Sequence, residues 1–231
     1  MQLIKMRDRM NFFTNAWDSD LAWSFRQAPL VMVAALMTTV IVLAAVLAPL
    51  IAPHDPFNPA TLNLMDGFTP PMTPNAMSGQ VYLLGTDNQG RDILSTILYG
   101  ARISLFVGFS AVLFAMVLGI FVGLVSAWRG GWIDSTLMRV ADIQLSFPSI
   151  LIALLIFGVA RSLIPVAYRE QMAIWVLIVA IGLSDWVQFA RVVRGAALVE
   201  KSKEYVQAAQ AIGVRPSRIV LTHILPNVMG P

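Results

Sequence analysis

Long uncharged apolar runs alternate with short polar segments along this chain. The runs cover residues 30–52, 103–128, 143–160 and 172–190, and the fourth contains one ionisable residue, Asp185. A helix needs about 20 mostly apolar residues to cross the hydrocarbon core of a bilayer. The pattern therefore predicts an all-α integral membrane protein with four transmembrane helices. The third run is the shortest, and the stretch from Trp132 can extend it as a helix.

Five segments separate or flank the predicted spans. They are an N-terminal arm at 1–29, loops at 53–102, 129–142 and 161–171, and a tail at 191–231. In the tail, residues 195–212 contain no proline and no internal glycine, which favours a helix. Gly213 suits the positive-φ position after a helix, and Pro216 suits the first turn of a second helix. We expect that second helix to stop before Pro226, so the tail is predicted to form a helix–turn–helix.

Small residues recur at every fourth position of the second span. They are Ala111, Ala115, Gly119, Gly123 and Ala127, and the two glycines form a GxxxG pair. Such a stripe lets another helix approach closely. Packing within the chain is the favoured interpretation, since the motif alone does not indicate a dimer.

Asp185 is the one carboxylate clearly inside a predicted span. Ionisable residues within a membrane are functional candidates by default. However, Arg191 and Arg194 follow within about two helical turns. Pairing with these arginines, or snorkelling to the interface, is therefore the favoured interpretation.

The distribution of basic residues predicts the orientation of the spans. Of the 16 lysines and arginines, 12 lie in 1–29, 129–142 and 191–231, and the other four lie in 53–102 and 161–171. The positive-inside rule then places the N-terminus and the 191–231 tail in the cytoplasm and the 53–102 loop outside. The net charge of +3 accordingly indicates orientation rather than nucleic-acid binding.

The outer loop contains a candidate structural motif before the second span. Prolines between Pro53 and Pro74 make its first half extended. Gly85 and Gly90 allow a tight turn, and either Asp87 or Asp92 can cap a helix that begins after them. One helical face then carries Ile93, Leu94, Ile97 and Leu98, which predicts a short interfacial helix. A structural cap is the favoured role for this motif, and contact with another protein is the alternative.

Motifs for catalysis do not occur in the sequence. It contains no cysteine, only two histidines, and no GxxxxGK[ST], GxSxG or HExxH pattern. We therefore expect no enzyme activity, no metal and no cofactor in this chain.

Two longer motifs resemble a known family. Residues 204–213 read EYVQAAQAIG, followed by HILPN at 223–227, and this is similar to the EAA loop of ABC-importer permeases. Residues 84–92 read LGTDNQGRD, with YGARISL at 99–105, and they resemble the C-type permease of the dipeptide/oligopeptide/nickel family. Gly130, Gly131, Asp134, Met138 and Arg139 also match.

The resemblance implies the type I ABC-importer permease fold and a set of partners in the bacterial inner membrane. These are a second, B-type permease, two ABC ATPase subunits that bind ATP and Mg, and a periplasmic or lipoprotein substrate-binding protein that delivers peptide. The family has six spans, so this chain is expected to stop after the EAA loop with four. Position 207, where the broader motif has glutamate, holds Gln207.

The resemblance also assigns roles to residues. The coupling helix that contacts an ATPase would contain Glu204, Tyr205, Gln207, Ala208, Ala209, Ile212 and Gly213. Of these, Ala208 and Ala209 are expected to mark the face of closest approach. Loop-shaping roles fall to Gly85, Asp87, Gly90, Asp92, Pro216 and Pro226, and helix packing falls to Gly119 and Gly123.

Other functions stay open at this stage. The chain could import another solute of the same family, such as nickel. A truncated chain could instead act as a membrane scaffold that does not transport. A self-contained channel or carrier is the third alternative, although Asp185 alone would then carry charge in the membrane.

Overall fold

The computed structural model of the protein describes residues 20–58, 62–75 and 78–229, with side chains described from residue 23 onward. These residues form helices, turns and two isolated β-bridges, Pro74 with Val81 and Thr86 with Asp92. The predicted all-α class is therefore confirmed. The chain forms two units, Met1–Leu105 and Phe106–Pro231, and each is described by itself.

The described part of the first unit starts with α1 (Asp20–Gln27), α2 (Pro29–Val46) and α3 (Ala48–Ile51). Pro29 stands in the first turn of α2, where its missing N–H costs nothing. Helix α2 is apolar around its whole circumference, as a lipid-facing helix requires. Together α2 and α3 occupy the predicted first span, 30–52, and they separate at Leu47.

The loop after α3 folds around buried polar groups. A 3₁₀ turn at Leu64–Asp66 precedes the two β-bridges. Asp66, Thr69 and Thr86 are all nearly inaccessible to solvent. The Thr69 N–H and the Asp66 carbonyl both bond to the Thr86 hydroxyl, which joins the two halves of the loop. Hydrogen bonds therefore hold this loop together.

Helix α4 (Ile93–Arg129) corrects the prediction of a separate interfacial helix. It runs without interruption for 37 residues, about 55 Å at the usual rise per residue. The polar residues of its first turns lead directly into the apolar run of the second span. Residues 93–103 contain no proline, and their one glycine, Gly100, is tolerated inside a helix. The helix therefore continues through them.

Two further helices replace the predicted 129–142 loop and third span. Helix α5 (Gly131–Leu145) occupies most of that loop, and α6 (Ser149–Leu163) follows after a bend of 97°. Pro148 explains the break, because the residue before a proline is disfavoured in the helical region. The predicted third span, 143–160, therefore begins in α5 and lies mostly in α6.

Helix α7 (Arg169–Lys201) extends well beyond the predicted fourth span at 172–190. Among the described residues, α2, α4 and Val166–Lys201 are long and apolar enough to cross a bilayer. The bent pair α5–α6 makes a fourth if it counts as one span.

The predicted 195–212 helix is wrong in one respect. The chain breaks at Ser202 and Lys203 and then forms α8 (Glu204–Ala211). Helix α9 (Pro216–Ile219) follows, then a π turn at Val220–Ile224 and α10 (Leu225–Val228).

The expected stop before Pro226 is also wrong. A wider π turn immediately precedes this proline, which stands in the first turn of α10. Its missing N–H therefore removes no helical hydrogen bond there.

Candidate functional site

The segment 204–228, here called the coupling segment, is anchored to the ends of two long helices. Val206 and Ala209 point from α8 into a buried apolar cluster. The other members of that cluster come from α4, α7 and the helices after Gly213: Leu124, Ala127, Val193, Ala197, Ile219 and Ile224. Short residues on α8 therefore let this helix lie directly against the end of the spans.

This arrangement corrects the expectation for the two alanines. Ala209 is only 8% exposed because it packs inside its own chain, whereas Ala208 lies on the exposed side. On α7, Val193, Ala197 and Glu200 lie on the buried face. If the helix continued without a break, the next residues on that face would be 204 and 207 or 208. The break at Ser202 shifts that phase, so positions 206 and 209 are buried instead.

Gly213 terminates α8 in the way the sequence predicted. Its φ is +80°, and its N–H donates to the Gln210 carbonyl at 3.0 Å. The Val214 N–H donates to the Ala209 carbonyl, also at 3.0 Å. These two bonds form a Schellman motif, in which a residue with positive φ closes the helix. Pro216 then occupies the first turn of α9.

A polar network joins the two sides of the break. The Glu200 carboxylate accepts a hydrogen bond from the Tyr205 hydroxyl and pairs with the Lys203 ammonium at 2.7 Å. Asn227 donates its amide N–H to the Tyr205 oxygen at 3.2 Å. The hydrogen bond to Glu200 raises the pKa of Lys203, because it favours the charged ammonium. Burial, and then the hydrogen bond to Glu200, raise the pKa of Tyr205.

Lys201 and Trp128 fix the end of α4 beside the coupling segment. The Lys201 ammonium donates to the carbonyls of Ala127 and Trp128, at 3.0 and 2.8 Å. It also lies 5.4 Å from the centre of the Trp128 ring. The last carbonyls of a helix have no partner within the helix, so a cation here is stabilising. Sequence reasoning missed this contact, because 73 residues separate Lys201 from Trp128.

The arginines near the end of α7 do not pair with Asp185. Arg194 makes a two-pronged bond to Asp134, with both distances 2.6 Å, and Asp134 also accepts from the Ser126 hydroxyl. Arg191 pairs with Asp142. Both partners lie on α5, so these bonds hold α5 against α7. The interpretation that pairs Asp185 with Arg191 or Arg194 is therefore wrong.

The stripe of small residues on α4 packs within the chain. Trp186, Phe189 and Ala190 on α7 approach Gly119 so closely that an added Cβ would lie 2.5 Å from the Phe189 Cβ. An added Cβ at Gly123 would lie 2.6 Å from the Ala190 carbonyl oxygen. Packing of α4 against α7 therefore accounts for the GxxxG pair.

The loop-shaping residues of the first unit have separate roles. Gly85 and Gly90 both have positive φ. Asp92 caps α4, because its carboxylate accepts from the N–H of Leu94 and of Ser95. Asp87 organises the preceding turn and accepts from the backbone N–H of Gln89 and of Arg91. Of the two candidate caps, Asp92 is therefore the one that serves α4.

Electrostatics in this loop depend on its carboxylates. Burial and the Asp66 carboxylate raise the pKa of Tyr82 to about 12, so the phenol stays neutral and donates to Asp66 at 3.0 Å. Burial acts to raise the pKa of Asp87. The hydrogen bonds from Arg91 and Gln89 outweigh that effect and lower the pKa of Asp87.

One face of the coupling segment is turned away from the cluster that anchors it. Glu204, Gln207, Ala208 and Gly213 are exposed there, and Ile212 is 80% exposed. Four of these five residues are uncharged, Ala208 and Gly213 are short, and Glu204 is the single acid among them. Such a surface is suited to close docking against a groove of another protein.

These features define a class of protein. The long apolar helices are those of a multi-pass helical membrane protein. The family profile described as "Binding-protein-dependent transport system inner membrane component" matches residues 115–231. The chain belongs to this family of transport permeases. A second profile, "N-terminal TM domain of oligopeptide transport permease C", matches residues 16–71.

Several relatives are similar to most of the chain. The oligopeptide transport system permease protein OppC of Bacillus subtilis is 35% identical over 211 residues, which cover 91% of this chain and 63% of OppC. The dipeptide transport system permease protein DppC of Haemophilus influenzae is 33% identical, with 90% and 65% covered. DppC of Alkalihalophilus pseudofirmus is 36% identical, with 87% and 60% covered. The chain thus spans less than two thirds of the length of these relatives.

Proposed function

We propose that this chain is the C-type permease subunit of an ABC importer for peptides of the dipeptide or oligopeptide class. Its relatives are named as oligopeptide and dipeptide transport permeases. In this proposal a B-type permease completes the pathway, and a periplasmic or lipoprotein binding protein delivers the peptide. Two separate ATPase subunits bind ATP and Mg, so this chain itself needs no catalytic residue.

The observation that carries the proposal is the two-sided character of α8. One side, with Val206 and Ala209, is buried in the cluster at the ends of α4 and α7. The other side presents Glu204, Gln207 and Ala208 to solvent. Ala208 lies in the middle of this free face and leaves room for a partner to approach α8 closely. We infer that the ATPase docks on this exposed face.

The buried side supplies a route for coupling. Any displacement of α8 changes its packing against Leu124 and Ala127 of α4 and Val193 and Ala197 of α7. Packed cores rearrange in discrete steps and deform little. We therefore expect movement of the ATPase to reach the spans through this cluster, with the Glu200–Tyr205 contact keeping the break at Ser202 in one geometry.

The proposal includes an orientation in the bacterial inner membrane. Basic residues favour an N-terminal arm and a coupling segment in the cytoplasm and a loop after α3 outside. This orientation gives the coupling segment access to cytoplasmic ATPases and the loop access to a binding protein.

Ala208→Arg tests the docking face. The exposed position accepts arginine without disturbing the fold, but a long charged side chain prevents close approach of a groove. We expect co-purification of the cognate ATPase to fall about tenfold or more, since overpacking an interface costs about 1–3 kcal/mol. The measurement is pull-down from membranes that contain the complete transporter.

Two variants control this experiment. Ala208→Ser keeps a short side chain and should retain the ATPase. Gln89→Arg adds the same charge at an exposed position of the outer loop and should also retain it. Wild-type ATPase recovery with Ala208→Arg would contradict the assignment of this face.

A further inference from the structure

An apolar groove lies where α4, α5 and α9 meet. Its volume is about 860 Å³, within the range of about 300–1,000 Å³ typical of small-molecule sites. Phe121, Leu124, Val125 and Leu221 contribute apolar walls, and Arg129 and Arg215 contribute cations. The groove lies wholly within the second unit.

The arginines of this groove differ from the basic residues at the end of α7. Arg191, Arg194 and Lys203 have carboxylate partners, and Lys201 caps α4. In the part of the chain that the structure describes, Arg129, Arg215 and the nearby Arg218 form no ion pair and no side-chain hydrogen bond. Positive charge is therefore left uncompensated around the groove.

The groove separates its charges from its apolar walls along the helix axis. Phe121 and Arg129 are eight positions apart on α4, which corresponds to about 12 Å along the helix. Phe121 and Leu124 belong to the apolar run, and Arg129 ends it. On a membrane-spanning α4, Phe121 and Leu124 therefore lie at the depth of acyl chains, and Arg129 lies at the level of lipid headgroups.

We propose that this groove binds one anionic phospholipid. Its headgroup phosphate is bound by Arg129 and Arg215, and its acyl chains lie along Phe121, Leu124 and Val125. Guanidinium groups match phosphate oxygens with paired hydrogen bonds, and basic pockets between membrane helices on the cytoplasmic side bind acidic headgroups. A zwitterionic headgroup would place its own cation beside the two arginines, so an anionic lipid is preferred.

The bound lipid would connect the end of α4 to the coupling segment. Arg129 ends the second span, while Arg215 and Leu221 flank α9, just after the Gly213 turn. A lipid held between them therefore stabilises the position of the coupling segment. This inference does not depend on which solute is carried.

Lipid retention by the purified protein tests the proposal. Native mass spectrometry of the protein in detergent, titrated with phosphatidylglycerol or phosphatidylcholine, should show one phosphatidylglycerol retained in preference. In Arg129→Gln/Arg215→Gln the apparent affinity for phosphatidylglycerol should fall about tenfold or more. Arg102→Gln/Arg139→Gln removes the same charge from exposed positions that do not line the groove and should leave the affinity unchanged.

Two further measurements keep the test decisive. Val125→Trp fills the groove while keeping both arginines, and it should also lose the retained lipid. Inorganic phosphate at millimolar concentration should not displace the lipid, because the acyl chains supply part of the binding. Equal retention of the two lipids by the wild type would overturn the proposal. So would unchanged binding by the arginine double variant, or displacement by phosphate alone.

Discussion

The loop between α3 and α4 and the coupling segment are both turn-rich pieces of chain outside the apolar helices, yet different forces hold them. In the loop, hydrogen bonds among Asp66, Thr69, Tyr82 and Thr86 fix the backbone. In the coupling segment, an apolar cluster around Val206 does so. The loop therefore depends on close backbone approach, whereas the coupling segment depends on which helical face is apolar.

Glycines show the same difference at finer scale. An added Cβ at Gly85 would lie 2.5 Å from the Thr69 carbonyl oxygen, while one at Gly213 would meet nothing within 4 Å. The loop also holds Phe68 and Met72 at positive φ, which is uncommon for bulky residues. The loop backbone is thus constrained by close neighbours, whereas at Gly213 only the positive φ, and no close contact, disfavours a side chain.

The largest expected effect comes from placing a charge in the apolar cluster. Ala209→Arg puts an unpaired guanidinium beside Val193 and Ile219, and an uncompensated buried charge costs about 3–5 kcal/mol. We expect the free energy of local opening of the coupling segment, measured by amide hydrogen exchange, to fall by about that amount. Ala208→Arg, one position away and exposed, should change it by less than about 0.5 kcal/mol. Equal exchange in the two variants would show that α8 is not docked by this face.

A pair of glycine substitutions separates crowding from backbone strain. Gly85→Ala and Gly213→Ala both place Cβ at positive φ, which costs about 1–2 kcal/mol. Only Gly85→Ala also forces Cβ against a carbonyl oxygen. We therefore expect Gly85→Ala to lower the local opening free energy of the loop by about 2–3 kcal/mol, and Gly213→Ala to lower that of the coupling segment by about 1 kcal/mol. Similar costs at the two sites would contradict the proposed difference between the regions.

Sequence patterns predicted those features that depend on local chemistry. The apolar runs indicated long apolar helices, and Gly213 with Pro216 indicated the turn. Asp92 was one of two residues named as a cap. Each of these depends on a few neighbouring residues and on period or φ alone.

The rest depends on contacts between distant parts of the chain. The break at Ser202 turns Ala209 inward because α4 and α7 supply the cluster, and no local residue marks it. Arg194 and Arg191 pair with Asp134 and Asp142 on another helix, which spacing within α7 did not indicate. The sequence allowed a helix from Trp132 onward, but it did not indicate the bend between α5 and α6, and the pairs of Asp134 and Asp142 with α7 were not predicted either.

The smallest expected effect tests the electrostatic side of the loop. Asp87 has a lowered pKa because bonds from Arg91 and Gln89 favour its charged form. A carboxylate whose folded pKa lies below its unfolded value contributes stability above the unfolded pKa, and it loses that contribution as pH falls through the folded pKa. The loop should therefore open more readily, by hydrogen exchange or protease cleavage, when pH falls from about 6 to about 3. In Asp87→Asn this part of the pH dependence should be absent, because the amide keeps an acceptor for the turn but does not titrate. The effect is small because Asp87 and Arg91 are only partly buried, and such pairs contribute little.

The coupling segment provides a control that separates this effect from general acid unfolding. Its Gly213 turn contains no carboxylate, and the cluster behind it is apolar, so exchange at Gly213 and Val214 should change less over the same range. A pH response of equal size at both turns would show that the loop is held by something other than the Asp87 contacts.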